Sequence, residues 1–309
     1  EWKRGGVELS RQTMSNWVLT AARDWLTPVY NELRRKLLTH DILHADETTL
    51  QVLKEPGKSA QSKSYMWLYR TGIDAKHQIV LYEYKPNRKA ENAEKFLDGF
   101  NGWLHADGYD GYHKLNNGIR VVGCWAHARR KFIEALNAAP EKERANSTAA
   151  EGVAYCDALF RIEAQIKDLP YEEKAKKRRE QAQPVLDALL SWAEAKSAPP
   201  KSTLGKALHY LRTQWQYLIR YLEDGRLEIS NNLAERSIKP FVIGRENFLF
   251  ANTPNGAQGS AVIYSLIETA KENGLDPYKY LTWVLTQAPK LFETDRGWAA
   301  KLLPEEYAG

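Results

Sequence analysis

Three acids stand in segments whose character suits metal chemistry. Asp46 lies in the middle of Ile42-Leu-His-Ala-Asp46-Glu47-Thr-Thr-Leu-Gln-Val52, a run apolar at both ends and rich in β-formers on its C-terminal side. A strand of this kind is normally buried, and a buried carboxylate is costly unless partnered; a metal ion is one such partner. Asp107 closes the short apolar run Trp103-Leu-His-Ala-Asp107 and opens a Gly-rich turn. Glu235 falls in Asn231-Asn-Leu-Ala-Glu235-Arg236-Ser-Ile-Lys239-Pro240, which reads as a helix capped by Ser230 or Asn231 and ending near Pro240. Three carboxylates converging on one point repel each other unless cations sit between them. Mg²⁺ takes oxygen ligands and keeps water in its shell, which suits a site open to phosphate. Two such ions roughly 3.5–4 Å apart activate an attacking oxygen and stabilise a leaving one at phosphorus. The chemistry is phosphodiester cleavage or strand transfer. The chain holds 39 acids, so residue type alone decides nothing; the weight falls on the element that carries each acid.

Alternation along a strand places Asp46 on one face with Ile42, His44, Thr48 and Leu50. Glu47 points the other way, so only one of the two can join a given site. Glu47 is expected to be a bystander bonded to a neighbouring loop or basic residue. Two more strands follow, at 64–71 and 77–84, joined by short loops as in an antiparallel meander. A helix over 88–100, a strand ending at Asp107, a strand over 119–124 and a helix from Trp125 to about Leu136 complete the series. Residues 138–222 are polar and strongly helical, punctuated by Pro170 and Ala198-Pro-Pro200, and read as an all-helical insertion. Helices over 260–273 and 277–288 follow a loop at 253–259. Upstream, 8–39 reads as a helix or helix pair capped by Ser10 and interrupted or restarted at Pro28. Met14, Trp17, Val18, Ala21 and Trp25 form its stripe. Glu8–Trp17, with Arg11 and Gln12, also resembles the second half of a helix-turn-helix; an ordinary capped surface helix is the alternative.

The order strand, strand, strand, helix, strand, strand, helix is that of the ribonuclease H-like fold. The expected class is therefore α/β. It comprises a mixed five-stranded sheet with flanking helices, a large helical insertion and a small C-terminal helical segment. The expected divisions are 1–39, 40–137, 138–223, 224–259 and 260–309. In that fold the first and fourth strands are neighbours, which would bring Asp46 and Asp107 together, with Glu235 arriving on a helix packed against the sheet. Glu268 and Glu228 are rivals for the third acid. Glu268 is disfavoured because helix packing explains its surroundings, and Glu228 because it is too close to the preceding turn.

The 309 residues suffice for one large or two ordinary domains. Hydrophobic residues at 43% and charged residues at 27% are those of a soluble globular protein. No apolar run is long enough to span a membrane, and no secretory signal is present. Cys124 and Cys156 form no metal-ligand pair, which points to a reducing cytoplasmic setting. A net charge of +5 is compatible with a polyanionic partner without proving one.

Four segments resemble the transposases of the insertion-sequence 66 family: His44-Ala-Asp46-Glu47-Thr48, Ala106-Asp107-Gly-Tyr-Asp-Gly-Tyr112, Cys124-Trp-Ala-His127-Ala-Arg-Arg-Lys-Phe132 and Asn231–Pro240. Ser265–Pro277 is similar to that family's C-terminal helical segment. The resemblance covers about residues 8 to 289. It implies DDE-type transposition, in which terminal inverted repeats are bound, strands are cut at the element ends, and the freed 3′-OH attacks target DNA. It implies that Asp46 and Asp107 hold a shared Mg²⁺ and that Glu235 completes a second site, with Mn²⁺ able to substitute. His127 becomes an accessory group on phosphate or attacking water, or a structural histidine. Arg129, Arg130, Arg236 and Lys239 could contact phosphates or be solvated, and Arg11 and Gln12 belong to the expected reader helix. Asn231 and Asn232 would shape the turn before Glu235. Tyr109 and Tyr112 would stack on an unpaired base or simply pack. The implied partners are double-stranded DNA and further copies of the chain at paired ends, in a bacterial, nucleoid-associated setting without a membrane. The family's N-terminal zipper-like region, cysteine cluster and first reader helix would lie upstream of this chain. A nuclease of the same fold and a non-catalytic DNA-binding or assembly protein are the alternatives.

Overall fold

The computed structural model describes residue 6, residues 8–116 and residues 118–307. In chain order the elements begin with α1 (Arg11–Ala21), a five-residue π-helical turn over Ala22–Leu26, and α2 (Thr27–Leu37). Then come β1 (Ile42–Gln51), β2 (Lys63–Thr71), β3 (Val80–Lys85), α3 (Ala90–Phe96), β4 (Gly102–His105), α4 (Asp110–His113), β5 (Ile119–Val122) and α5 (Trp125–Ala138). Helices α6 (Thr148–Ile166), α7 (Tyr171–Lys177), α8 (Gln183–Ala195) and α9 (Thr203–Leu218) follow. The chain closes with α10 (Asn232–Phe248), α11 (Pro254–Glu272) and α12 (Pro277–Phe292). Among the described residues the protein is thus α/β, mostly helical, with five strands of mixed direction.

The chain divides into two compact units, residues 1–100 with 234–309, and residues 101–233. In the first, β1, β2 and β3 form the expected antiparallel meander, with Asp46 opposite Leu68 and Glu47 opposite Trp67. Even-numbered β1 residues face one side. Leu50 and Val52 join Met66, Leu68, Tyr82 and Tyr84 in a core completed by Ala234, Ile238 and Phe241 of α10 and Ala257 and Ala261 of α11. Burying a side chain of this size contributes about 1.5–3 kcal/mol, so this seam fixes α10 on the sheet. On the odd face Tyr69 stacks on Phe96 of α3, ring centroids 3.8 Å apart. In the second unit β4 and β5 run parallel, with Leu104 opposite Val121. The helices α5 to α9 belong to the same unit.

Several element boundaries differ from the sequence expectation. α10 does not stop near Pro240 but runs to Phe248. Proline removes one backbone bond, yet Ala234, Ile238 and Phe241, at helical spacing on the apolar seam, keep the helix formed. It ends where Leu249 adopts φ +64°, a left-handed conformation usually taken by glycine. Ala251 then pairs in parallel with Val52 at the end of β1. The expected loop at 253–259 is mostly helix, because Thr253 caps the Gly256 N–H at 3.1 Å and Pro254 opens α11. Gly259 serves close packing: a Cβ there would come 2.8 Å from Leu19. Ser10 caps α1 as expected, accepting from Thr13 N–H at 3.0 Å. Pro28 restarts the helical path, one of the two expected outcomes, in the permitted first turn of α2. The stripe on α1 is not a core face: no residue of α1 is buried, and Met14, Trp17 and Val18 are exposed.

Candidate active site

Asp46 is half-buried in the middle of β1, and its Oδ1 accepts the Glu47 backbone N–H at 2.8 Å. Two contacts show which helix covers its face. Arg245 of α10 donates from Nη1 to Thr48 Oγ1, on the Asp46 side of the strand, and to Thr49 Oγ1, both at 3.1 Å. Arg70 of β2, paired in register with His44, donates from Nη1 to Ser237 Oγ of α10. The helix that carries Glu235 therefore lies along the face that carries Asp46. Glu235 sits in its first turn, half-buried, beside the inward-facing Ala234 and Ile238.

Glu47 takes the opposite face and forms an ion pair with Arg88, its carboxylate 2% exposed. A buried carboxylate held by a guanidinium is satisfied without a metal. Of the rivals for the third acid, Glu268 is bonded to Lys271 at 2.8 Å on the buried side of α11. The Glu228 backbone N–H donates to His105 Nε2 at 3.3 Å.

In the other unit Asp107 lies two residues beyond β4. The ladder continues through Ala106, whose N–H donates to Val122 O at 3.1 Å. Asp107 Oδ1 accepts the Tyr109 N–H at 3.0 Å, which locks the turn that presents the carboxylate. Helix α9 packs against this turn so closely that a Cβ on Gly108 would lie 2.6 Å from the Tyr210 ring. Burial pushes the Tyr210 hydroxyl up, and Cys124 and Asp107 push it further. Tyr109 and Tyr112 pack edge to face at 5.7 Å, with Tyr112 buried. Both rings therefore pack within the fold.

His127 occupies the first turn of α5, one of its ring nitrogens within 4.8 Å of the Cys124 sulfur. That sulfur accepts the Asn231 N–H at 3.2 Å, and Trp125 N–H donates to Ile229 O at 3.1 Å. The start of α5 is thereby stitched to the segment that leads into α10. Arg129 forms an ion pair with Asp157 at 2.5 Å. Arg130, Arg236 and Lys239 are exposed, as are Arg11 and Gln12 on α1, where Gln12 donates to Asn16 Oδ1 at 2.8 Å.

His113 of α4 stacks on Tyr217, ring centroids 3.9 Å apart. Burial lowers its pKa below the usual 6.5, against the opposing pull of Asp110 and Asp107. A depressed histidine pKa means that the unfolded chain binds the proton more tightly. The stability it contributes is complete above pH 6.5 and is lost as pH falls from there toward the folded-state value. Thermal unfolding followed from neutral to mildly acidic pH should show Tm falling, and His113→Phe, which keeps the stack, should make that fall shallower. An unchanged profile would remove His113 as its source.

Carboxylate oxygen, which Asp46 and Glu235 offer in one unit and Asp107 in the other, is the donor type that a hard divalent cation takes. The model of the family described as Transposase IS66 family matches residues 1–259, and that of the IS66 C-terminal element matches residues 265–304. The chain belongs to the IS66 transposase family. Its similar relatives are uncharacterized proteins of Sinorhizobium fredii (strain NBRC 101917 / NGR234). It is 31% identical to y4qI over 312 residues, covering 96% of this chain and 56% of that protein. It is 32% identical to y4jD over 294 residues, covering 91% and 56%. This IS66 chain thus spans about half the length of the curated relatives it matches. No solved structure matches it. Among the described residues, no helix is long and apolar enough to cross a membrane.

The residues that hold α10 in place in this IS66 chain were not foreseen from the sequence. Arg70 is buried at 1% exposure and donates to Ser237, Gln78 and Glu272. Tyr82 donates its hydroxyl to Ser237 O. A lone arginine inside the apolar run of β2 was the available signal.

Proposed function

We propose that the chain is the catalytic part of a DNA transposase, cutting phosphodiester bonds at the ends of an insertion element and joining them to target DNA. The observation that carries this reading is the division of labour on β1. Asp46 faces the helix of Glu235, while Glu47 is neutralised by Arg88 on the other side. A ribonuclease H-like arrangement, with β4 beside β1, would add Asp107 to the pair. Asp46 and Asp107 would then hold one Mg²⁺ and Glu235 the second, with Mn²⁺ as a substitute. Bound there, the two ions supply activation of the attacking oxygen and stabilisation of the leaving one.

The chain's own residues do the remaining work. The Tyr109 N–H fixes one Asp107 oxygen and so aims the carboxylate. Arg245 and Arg70 hold α10 against the sheet and thereby set where Glu235 stands. His127 serves as an accessory group on phosphate or attacking water. Exposed Arg130, Arg236 and Lys239 contact DNA phosphates, while Arg129, engaged by Asp157, contributes through that pair. Arg11 and Gln12 belong to a helix that reads the inverted repeats. Double-stranded DNA is the partner, and two ends are paired by more than one copy of the chain.

Labelled pre-cleaved ends incubated with a target plasmid and Mg²⁺ test the reading. Joined product that disappears on chelation is expected. Hydrolysis without joining would make the protein a nuclease of the same fold. Binding without either reaction would make it a non-catalytic DNA-binding protein.

A further inference from the structure

Beside the Asp107 turn, in the unit formed by residues 101–233, lies a recess of about 640 Å³. Gly108 and Asp110 form its rim on the turn, and Lys131, Lys206, His209 and Tyr210 line it from α5 and α9. Its size is that of a site for one small-molecule-sized group, about 300–1,000 Å³. A duplex, whose major groove alone is about 12 Å wide, is far too large to enter.

The lining is electrostatically one-sided. Among the described residues no carboxylate forms an ion pair with Lys131, Lys206 or His209. Lys131 instead places its ammonium 5.1 Å from the centre of the Tyr210 ring. Arg212 adds a further guanidinium at the edge, anchored on the carbonyls of Ala193 and Lys196. Asp110 is the single acid of the lining. A structural role explains few of these choices: Lys206 and His209 are exposed, and among the described residues their side chains make no hydrogen bond within the fold. Basic groups without ion-pair partners beside an aromatic ring are the combination with which proteins hold single-stranded nucleic acid. Tyr210 also touches the turn that presents Asp107.

We propose that this recess seats an unpaired nucleotide of the DNA strand that runs up to Asp107, its phosphate held by Lys206 and Lys131 and its base lying against Tyr210 and His209. The inference rests on the transposase reading and deepens it. The site would select ends with a single-stranded flank, the form that a staggered or frayed cut leaves behind, over blunt duplex.

The test compares the affinity of the chain for a blunt duplex and for the same duplex with a short single-stranded overhang, by fluorescence anisotropy. A 2-aminopurine in the overhang reports stacking. The wild-type chain should prefer the overhang by about 10-fold, which is what one stacked base provides. The exposed pair changed together, Lys206→Ala with His209→Ala, should cut that preference to about threefold or less and leave blunt-duplex affinity within about twofold. The double variant should also flatten the log–log salt dependence of overhang binding by about 0.7 for each phosphate no longer neutralised. Tyr210→Leu should abolish 2-aminopurine quenching. No preference in the wild-type chain, or an equal weakening on both DNAs, would overturn the proposal. If the chain joins ends yet shows no overhang preference, the recess assignment fails and the transposase reading stands. If it neither binds nor joins DNA, both fail.

Discussion

Asp107→Asn is expected to abolish metal-dependent cutting and joining of DNA ends while leaving end binding intact. Asparagine keeps the shape of the side chain and the acceptor that takes the Tyr109 N–H, so the turn after β4 survives. It loses the negative charge that a hard cation needs. Replacing groups that only support metal ligands already costs about 10–100-fold. Loss of a ligand should therefore lower joined product by more than about 100-fold. Gel-shift binding of the same ends should change little. Full activity in the variant would remove Asp107 from the metal site.

The second large effect is on the architecture. Arg70→Met should destabilise the unit of residues 1–100 and 234–309 and weaken joining through α10. Arg70 is buried and supplies donors to Ser237 Oγ, to Gln78 Oε1 at 2.8 Å and to Glu272 Oε2 at 2.9 Å. Methionine preserves much of the stem but supplies no donor. The buried Ser237 acceptor and the part-buried Gln78 acceptor, left unsatisfied, cost about 1–3 kcal/mol each at most, while the exposed Glu272 can turn to water. In a domain of this size about 1 kcal/mol shifts Tm by roughly 2–4 °C. A fall of roughly 5–10 °C is thus expected, measured by calorimetry. Arg70→Lys should recover only part of it, because one ammonium cannot match the guanidinium fork. A Tm within about 2 °C of wild type would show that Ser237 and α10 are held by the apolar seam alone.

How much of this was legible in the chain depends on how local the signal is. The alternation on β1 was enough to separate Asp46 from Glu47, and a basic partner for Glu47 was foreseeable in kind, though Arg88 could not be named. The three meander strands were visible because each is a compact run of β-formers bounded by turn residues. Helix limits failed where tertiary packing overrode a local breaker. Pro240 lies inside α10 because Ala234, Ile238 and Phe241 are buried together. The Gly-rich start of α11 is helical because Thr253 caps it and Pro254 opens it, and its Gly259 is explained by the close approach of Leu19. The stripe of α1 misled because a helical period shows only that one face is apolar, and Trp17 is 56% exposed. Arg70 and Ser237 are 167 positions apart, so no pattern along the chain could pair them. The recess by Tyr210 was hidden for the same reason: its rim and its wall come from the turn after β4 and from α9.

The central claim is that Asp46, Asp107 and Glu235 share divalent metal. It is tested most directly by anomalous diffraction from crystals of the chain with end DNA and Mn²⁺. The account predicts two Mn²⁺ peaks, roughly 3.5–4 Å apart, ligated by those three carboxylates, with Glu47 still on Arg88. Peaks elsewhere, or Mn²⁺ held by Glu47, Glu228 or Glu268 in place of one of the three, would contradict it.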